Sequence, residues 1–404
     1  MAKDKKKKEN VKEPGLAAFL FTFVSKIYLA LFYKVKIKRD VLKKQKRGCI
    51  LIYNHYSNKD HYFMAAAMNY RKVNFVLSGH FFFNKVFAFI LNFARAIKKD
   101  QFKPDLVAIR KIRKVLDQNG IVAIAPAGQV SVDGTPIYIS KVIVKLIRMC
   151  KADIIALQMR GSHLCLPKWR LGKRHCPITL EFVDVLKKED IDSLSDDEIY
   201  DAVVKAISID EYADQKTLMR KITGSNIMSG LENLLIKCPK CGSMYSHVEN
   251  NRTMSCTKCG NSVVMDDYGF LQPKTSDDVC FENAALWYKY QKSELAKEME
   301  KEDFSYSCRV KMSNNLKNEK ELEYVSEGVI TLTNSRFYYE SDGYIKEFNY
   351  DLLVQLPFSI RPLDNVYFEV PDGEGTFSFS PIDEKKEVIR FVQYIDIINS
   401  KRLN

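Results

Sequence analysis

Apolar positions along this chain fall into two rhythms. Cys49–Tyr53, Val73–Leu77, Ile121–Ala125, Ile154–Met159 and Ile178–Val185 are short runs rich in apolar residues, the pattern of strands covered by neighbouring layers. Tyr62–Asn69, Leu106–Gln118 and Val142–Cys150 lie between them and read as helices, with apolar residues recurring three and four apart. Asn119-Gly120 marks the end of the second of these. Strand, helix and strand in alternation predict an α/β domain, a mostly parallel sheet flanked by helices, to about residue 225.

After that point the rhythm changes. Leu231–Asn261 carries four cysteines, and Phe281–Glu302 reads as one helix. From Phe304 onward strands dominate: Val329–Leu332, Phe337–Tyr339, Lys346–Tyr350, Val366–Val370 and Thr376–Ser380. Turn chemistry such as Ser341-Asp342-Gly343 or Asp372-Gly373 separates them. An amphipathic helix, Glu387–Asn399, closes the chain, so a small β-barrel-like domain with a closing helix is expected.

Leu16–Tyr33 is different again, with 18 residues and a single charge, Lys26. As a helix it would be about 27 Å long, short of a ~30 Å hydrocarbon core. A charge in mid-run would cost about 2.5–3.5 kcal/mol at a bilayer centre. A signal peptide is not expected, because Lys26 interrupts the apolar core and no small-residue cleavage site follows. An interfacial helix is, with Lys5 to Lys8 before it and Lys34 to Arg39 after it as phosphate anchors. The alternative is an amphipathic helix packed on its own domain. Phe81–Phe93 is apolar and aromatic but short, and reads as a core helix or a re-entrant patch.

Composition narrows the field. The 404 residues exceed one ordinary core and suggest two or three domains. Apolar residues at 46% and charged residues at 28% exclude a disordered or fibrous chain. Residues 1–47 hold 15 Lys or Arg and four acids, so +11 of the net charge of +13 lies there. The near-neutral remainder excludes a fold-wide nucleic-acid face, and leaves an N-terminal address for an anionic membrane surface.

Cys238-Pro-Lys-Cys241 and Cys256-Thr-Lys-Cys259 are each followed by glycine and are separated by 14 residues. Two residues between thiolates let one tight turn present both sulfurs to a tetrahedral ion, and the glycines tolerate the backbone that follows. A four-sulfur zinc ribbon is expected, with a closed shell and a structural Zn2+. Redox or disulfide pairs would suit a secreted chain. His247, between the pairs, is expected to be a solvent-exposed bystander. Cys49, Cys150, Cys165, Cys176, Cys280 and Cys308 read as free thiols.

Asn54-His55-Tyr56-Ser57-Asn58-Lys59-Asp60 follows directly on the strand ending at Tyr53. Ligands bind at the C-terminal ends of parallel strands. There Asp60 can fold back onto one imidazole nitrogen of His55 and leave the other to accept a hydroxyl proton. A helix capping box built on Ser57-x-x-Asp60 is the structural alternative.

The Asn-His-x-Ser-x-x-Asp pattern after a hydrophobic strand resembles the first motif of the glycerolipid acyltransferases, which include lysophosphatidate acyltransferase. Ile121–Gly134 resembles that family's strand followed by Pro-Glu-Gly, and Ile154–Ser162 its fourth motif. The likeness covers roughly residues 16–185. It implies a domain on the cytoplasmic face of a membrane, peripheral or monotopic. His55 would be the base, Asp60 its orienter, and an acyl thioester, acyl-CoA or acyl-acyl-carrier protein, the donor to a lysophospholipid acceptor. Asn54, Ser57, Lys98, Lys99, Pro126, Gly128, Gln129 and Asp133 become candidate substrate-binding residues.

There are departures from the family pattern. Ala127 and Val130 stand where the family has Glu and usually Arg, and Lys98 and Lys99 are the nearest candidates for its phosphate-gripping Arg. Simple lysophosphatidate is therefore not the expected acceptor, unless Asp133 supplies the missing carboxylate. The expected organisation is a basic tail (1–13), a membrane-interface helix (14–36), an acyltransferase domain (37–225), a zinc ribbon (231–265), a connecting helix (280–302) and a β-rich, weakly pleckstrin-homology-like domain (303–404). A catalytically weak or inactive lipid-binding or adaptor protein on the same fold is the competing expectation. A zinc-ribbon nucleic-acid binder is disfavoured by the neutral ribbon region.

Overall fold

A computed structural model of the chain describes residues 15–82, 85–99, 105–316, 323–353, 356–360, 366–372 and 375–403. The expected basic tail, with Lys5 to Lys8, lies outside the described residues. The first helix, α1 (Leu16–Phe32), leads into β1 (Val35–Lys38) and α2 (Asp40–Lys44). Next come β2 (Cys49–Tyr53), α3 (Asp60–Met68), β3 (Val73–Ser78), α4 (Lys85–Phe93), β4 (Ile97–Lys99), α5 (Leu106–Asp117) and β5 (Ile121–Ile124). Then follow α6 (Val142–Cys150), β6 (Asp153–Arg160), α7 (Ser162–Cys165), β7 (Lys173–His175), β8 (Ile178–Leu186), α8 (Asp196–Ile207), α9 (Glu211–Leu218) and β9 (Thr223–Ser225).

Seven of these strands form one sheet in the order β1-β8-β6-β2-β5-β3-β4. Strands β6, β2, β5, β3 and β4 are mutually parallel, whereas β8 runs antiparallel to β6 and carries β1 with it. Alternation along β2 sorts the core into two layers. Cys49, Leu51 and Tyr53 pack with Phe63, Met64 and Ala67 of α3, and Ile50 and Ile52 with Ile112 of α5, Ile147 of α6 and Val203 of α8. The C-terminal ends of β2, β5, β3, β4 and β6 thus lie along one edge.

A four-stranded antiparallel sheet follows, of β10 (His247–Asn250), β11 (Thr253–Cys256), β12 (Ser262–Met265) and β13 (Leu271–Pro273). Helix α10 (Ala284–Glu298) leads to β14 (Ser305–Leu316), β15 (Glu323–Thr333), β16 (Phe337–Ser341), β17 (Tyr344–Phe348), β18 (Phe358–Ser359), β19 (Tyr367–Asp372) and β20 (Gly375–Pro381). These seven pair antiparallel in the order β17-β16-β15-β14-β20-β19-β18. Helix α11 (Glu387–Leu403) covers them, with Phe391 stacked on Phe368 at 5.1 Å. One apolar core runs from the α3 face of the first sheet through Met254, Trp287 and Leu295 to Phe379.

Two expectations are corrected here. The core-helix alternative for Phe81–Phe93 does not hold, because α4 turns Phe89, Ile90 and Phe93 outward. His247 is not exposed. It is buried, its Nδ1 bonds the Leu235 carbonyl at 2.7 Å, and Trp287 packs edge-on against its ring.

Candidate active site

Strand β2 stops at Tyr53, and the chain turns over the parallel strand ends before α3 begins at Asp60. Within that turn Asp60 Oδ2 lies 2.8 Å from His55 Nδ1 and accepts from the backbone amides of Tyr56 at 2.9 Å and Ser57 at 3.1 Å. Its side chain is 1% exposed and that of His55 26% exposed, so the acid is interior and the imidazole reaches the surface. The first turn of α3 also stabilises a negative carboxylate. The Asp60 contact favours hydrogen on Nδ1, leaving Nε2 as the acceptor. The capping-box alternative forms only by half: Asp60 Oδ2 accepts from the Ser57 amide, but Ser57 Oγ accepts from the Lys59 amide at 3.0 Å, not from that of Asp60, and Asp60 also serves His55.

The surrounding loops are tied to this turn. The Ser131 amide donates to the His55 carbonyl at 2.9 Å, and the Glu211 amide to the Gly134 carbonyl at 3.1 Å. The Tyr56 hydroxyl bonds both the carbonyl and, at 3.2 Å, the amide of Ile209. Glu211 is fully buried with both carboxyl oxygens 2.8 Å from the Gly161 amide, and burial pushes its pKa up to about 8 against the opposing charge of Arg220. Gly134 has φ +86°, and a Cβ there would lie 2.6 Å from the His163 ring. On the other side His61 stacks on Phe21 of α1, and burial lowers its pKa to about 4. None of these supports has a sequence motif. Only Gly134, in its turn, carries a local signal.

The expected substrate residues separate into groups. Asn54 and Ser57 are buried, at 3% and 0% exposure. Both ends of the Asn54 amide bond Met159 of β6, donating at 2.9 Å and accepting at 2.8 Å, so Asn54 joins strands rather than facing a ligand. The Ser57 hydroxyl is likewise turned to its own backbone. Pro126 and Gln129 are half-buried and Gly128 exposed on the loop after β5. Asp133 Oδ1 is occupied by Thr135, amide at 3.0 Å and hydroxyl at 2.8 Å, and by Ser131 Oγ at 3.3 Å. Burial raises its pKa. Gln129 and Asp133 also line a groove of about 1380 Å³ whose far wall includes Tyr288, Lys292 and Asp396 of α10 and α11. Lys98 and Lys99 are exposed on edge strand β4, three strands from β2, or about 14 Å at ~4.8 Å per strand. They share the sheet end with His55 but do not meet it.

The four cysteines converge. Their sulfurs all lie within 4.8 Å of one another, with Cys238 to Cys259 at 3.7 Å and Cys241 to Cys256 at 3.8 Å. A tetrahedron with ~2.3 Å metal–sulfur bonds has edges of about 3.8 Å, so the set fits one zinc. Gly242 and Gly260 take φ +72° and +74°, as the turn after each pair requires. The Ser243 and Ser246 hydroxyls lie 3.5 and 3.2 Å from Cys256 Sγ.

Residues 34–160 match the family model described as Acyltransferase, just under a third of the chain. The match includes His55, Asp60 and the loop after β5. The chain thus carries an acyltransferase-type segment. Among solved structures, it is similar to the 1-acyl-sn-glycerophosphate (LPA) acyltransferase PlsC from Thermotoga maritima, with TM-score 0.41 and 14% identity over 50% of this chain and 79% of that one. No curated protein matches the chain.

Proposed function

We propose that this protein is a membrane-associated O-acyltransferase that moves an acyl chain from a thioester donor, acyl-CoA or acyl-carrier protein, to a glycerolipid hydroxyl. The observation that carries this reading is the 2.8 Å His55–Asp60 pair at the end of β2, inside the matching segment. His55 Nε2 takes the hydroxyl proton, and the oxygen attacks the thioester carbonyl to form the new C–O bond. The C–S bond then breaks, and the thiolate leaves with the proton held on His55. Asp60 keeps the ring oriented and stabilises its charged form.

Ala127 brings no carboxylate to the site, and Asp133 Oδ1 is committed to its own turn. An acceptor other than simple lysophosphatidate is therefore favoured. Membrane association is supported by α1, which is inside out for a soluble helix: Thr22 and Ser25 are buried, while Phe19, Phe23, Val24, Ile27 and Leu31 are exposed. Lys26 leaves that apolar face to bond Asn69 Oδ1 at 2.6 Å and cover the Tyr70 ring. Among the described residues no helix is long and apolar enough to cross a membrane, so α1 would lie in the interface on a cytoplasmic membrane face. Cys238, Cys241, Cys256 and Cys259 would hold one structural zinc. The antiparallel sheet closed by α11 is read as a pleckstrin-homology-like accessory module.

The test is purified protein with labelled acyl thioester and a panel of lysolipids, followed by lipid extraction. Wild type should label a lysolipid and His55→Ala should not. No transfer from either donor to any acceptor would favour the adaptor alternative, toward which Ala127 points.

A further inference from the structure

Helix α4 has an apolar stripe at Val86, Phe89, Ile90 and Phe93, the i, i+3, i+4, i+7 spacing that ordinarily faces a core. Here it faces out, with Phe89 73%, Ile90 51% and Phe93 52% exposed. Crossover handedness fixes its side of the sheet. The step from β3 through α4 to β4 runs in the same direction across the sheet as that from β2 through α3 to β3, so right-handed connections place α4 on the α3 face. The return step through α5 puts that helix in the opposite core layer, as observed. Helix α1 packs on α3, so the two exposed apolar helices share one face. The path to α4 leaves from the C-terminal end of β3, the end that carries His55.

Charge distinguishes among occupants. Residues 61–99 contain six Lys or Arg and no Asp or Glu. Arg95 and Lys98, just beyond the stripe, are exposed. Two copies meeting through this surface would bring like charges together, whereas an anionic bilayer complements both the stripe and its rim. We propose that α4 is a second membrane-inserting element, seated in the anionic lipid interface beside α1 and holding the His55 end of the sheet against the lipid. This rests on the membrane association proposed above and adds a second, separable contact. The acceptor would then reach the base from the bilayer side.

The full chain can report this directly. Its two tryptophans, Trp169 and Trp287, are buried, so Phe89→Trp adds an indole at the stripe. Vesicles of three parts phosphatidylcholine to one part phosphatidylglycerol should shift its emission to the blue, and brominated acyl chains should quench it. Phe89→Ser/Phe93→Ser should weaken vesicle binding about tenfold or more with the fold retained, and should slow transfer to vesicle-borne lysolipid more than to a detergent-dispersed one. An unshifted, unquenched indole on vesicles that bind the protein through α1 would overturn the proposal. So would a blue shift that instead follows protein concentration and dimer formation. If wild type binds no vesicles at all, the membrane reading itself fails, and this inference with it.

Discussion

The Ser131 amide donates to the His55 carbonyl at 2.9 Å, so the loop after β5 is fastened to the backbone of the proposed base. Ser131 Oγ continues the link, accepting from the Gly134 amide at 3.0 Å and donating to the Thr135 carbonyl at 2.8 Å. The loop after β5 and the backbone of His55 are thus joined by a continuous hydrogen-bond path. Changes at either end should reach the other.

His55→Ala should lower turnover by about 10²–10⁴-fold with circular dichroism unchanged and the thermal midpoint lowered far less than turnover, because the ring is partly exposed and meets the core only edge-on at Tyr53. Asp60→Asn should lower turnover and also stability, by about 1–3 kcal/mol, since Oδ2 serves two backbone amides as well as His55. Unchanged denaturation of Asp60→Asn would contradict the buried geometry.

Gly134→Ala should be strained twice over, by φ +86° and by the 2.6 Å approach to His163. The loop must shift, and with it Ser131 and the His55 backbone, so turnover should fall while zinc content stays constant. His163→Ala removes the steric part. The double variant should therefore recover part of the loss in kcat, and additive losses would show that the ring contact is not the cause.

Glu211 gives a pH dependence to stability. Its carboxyl is raised to about 8 when folded, against ~4.3 in an unfolded chain. Tighter proton binding in the folded state stabilises fully below the unfolded value, and that contribution is lost as pH rises toward 8. Urea midpoints of wild type should decline across this window, and those of Glu211→Gln should decline less. Parallel profiles would remove Glu211 as the source.

Elemental analysis should find one zinc per chain, lost in Cys256→Ser and kept in His247→Ala, because the four sulfurs already make up a complete tetrahedral set and His247, covered by Trp287, is not among the converging ligand atoms. Chelation should loosen residues around 235–262 in hydrogen exchange without changing the His55–Asp60 geometry directly. Retention of zinc by Cys256→Ser together with loss in His247→Ala would reassign the ligands.

Features that depend on a few neighbouring residues are legible in the order of the amino acids. The buried strand Cys49–Tyr53 appears with the same bounds in the structure, and α6 likewise, because their periodicity is local. The four residues between His55 and Asp60 suffice for a side chain to fold back, and each Cys-x-x-Cys pair needs only one turn. What each side chain meets depends instead on distant parts of the chain that folding brings together. Asn54 reads as a ligand contact beside His55, yet its partner Met159 lies 105 residues away, and Tyr56 meets Ile209 at a separation of 153. Lys98 and Lys99 follow in chain order, but strand order sets them at the far edge of the sheet. His247 is polar and sits between metal pairs, yet Trp287 covers it. The outward turn of α4 has the same origin: an apolar stripe states that a face is covered, and its cover depends on which elements fold against it.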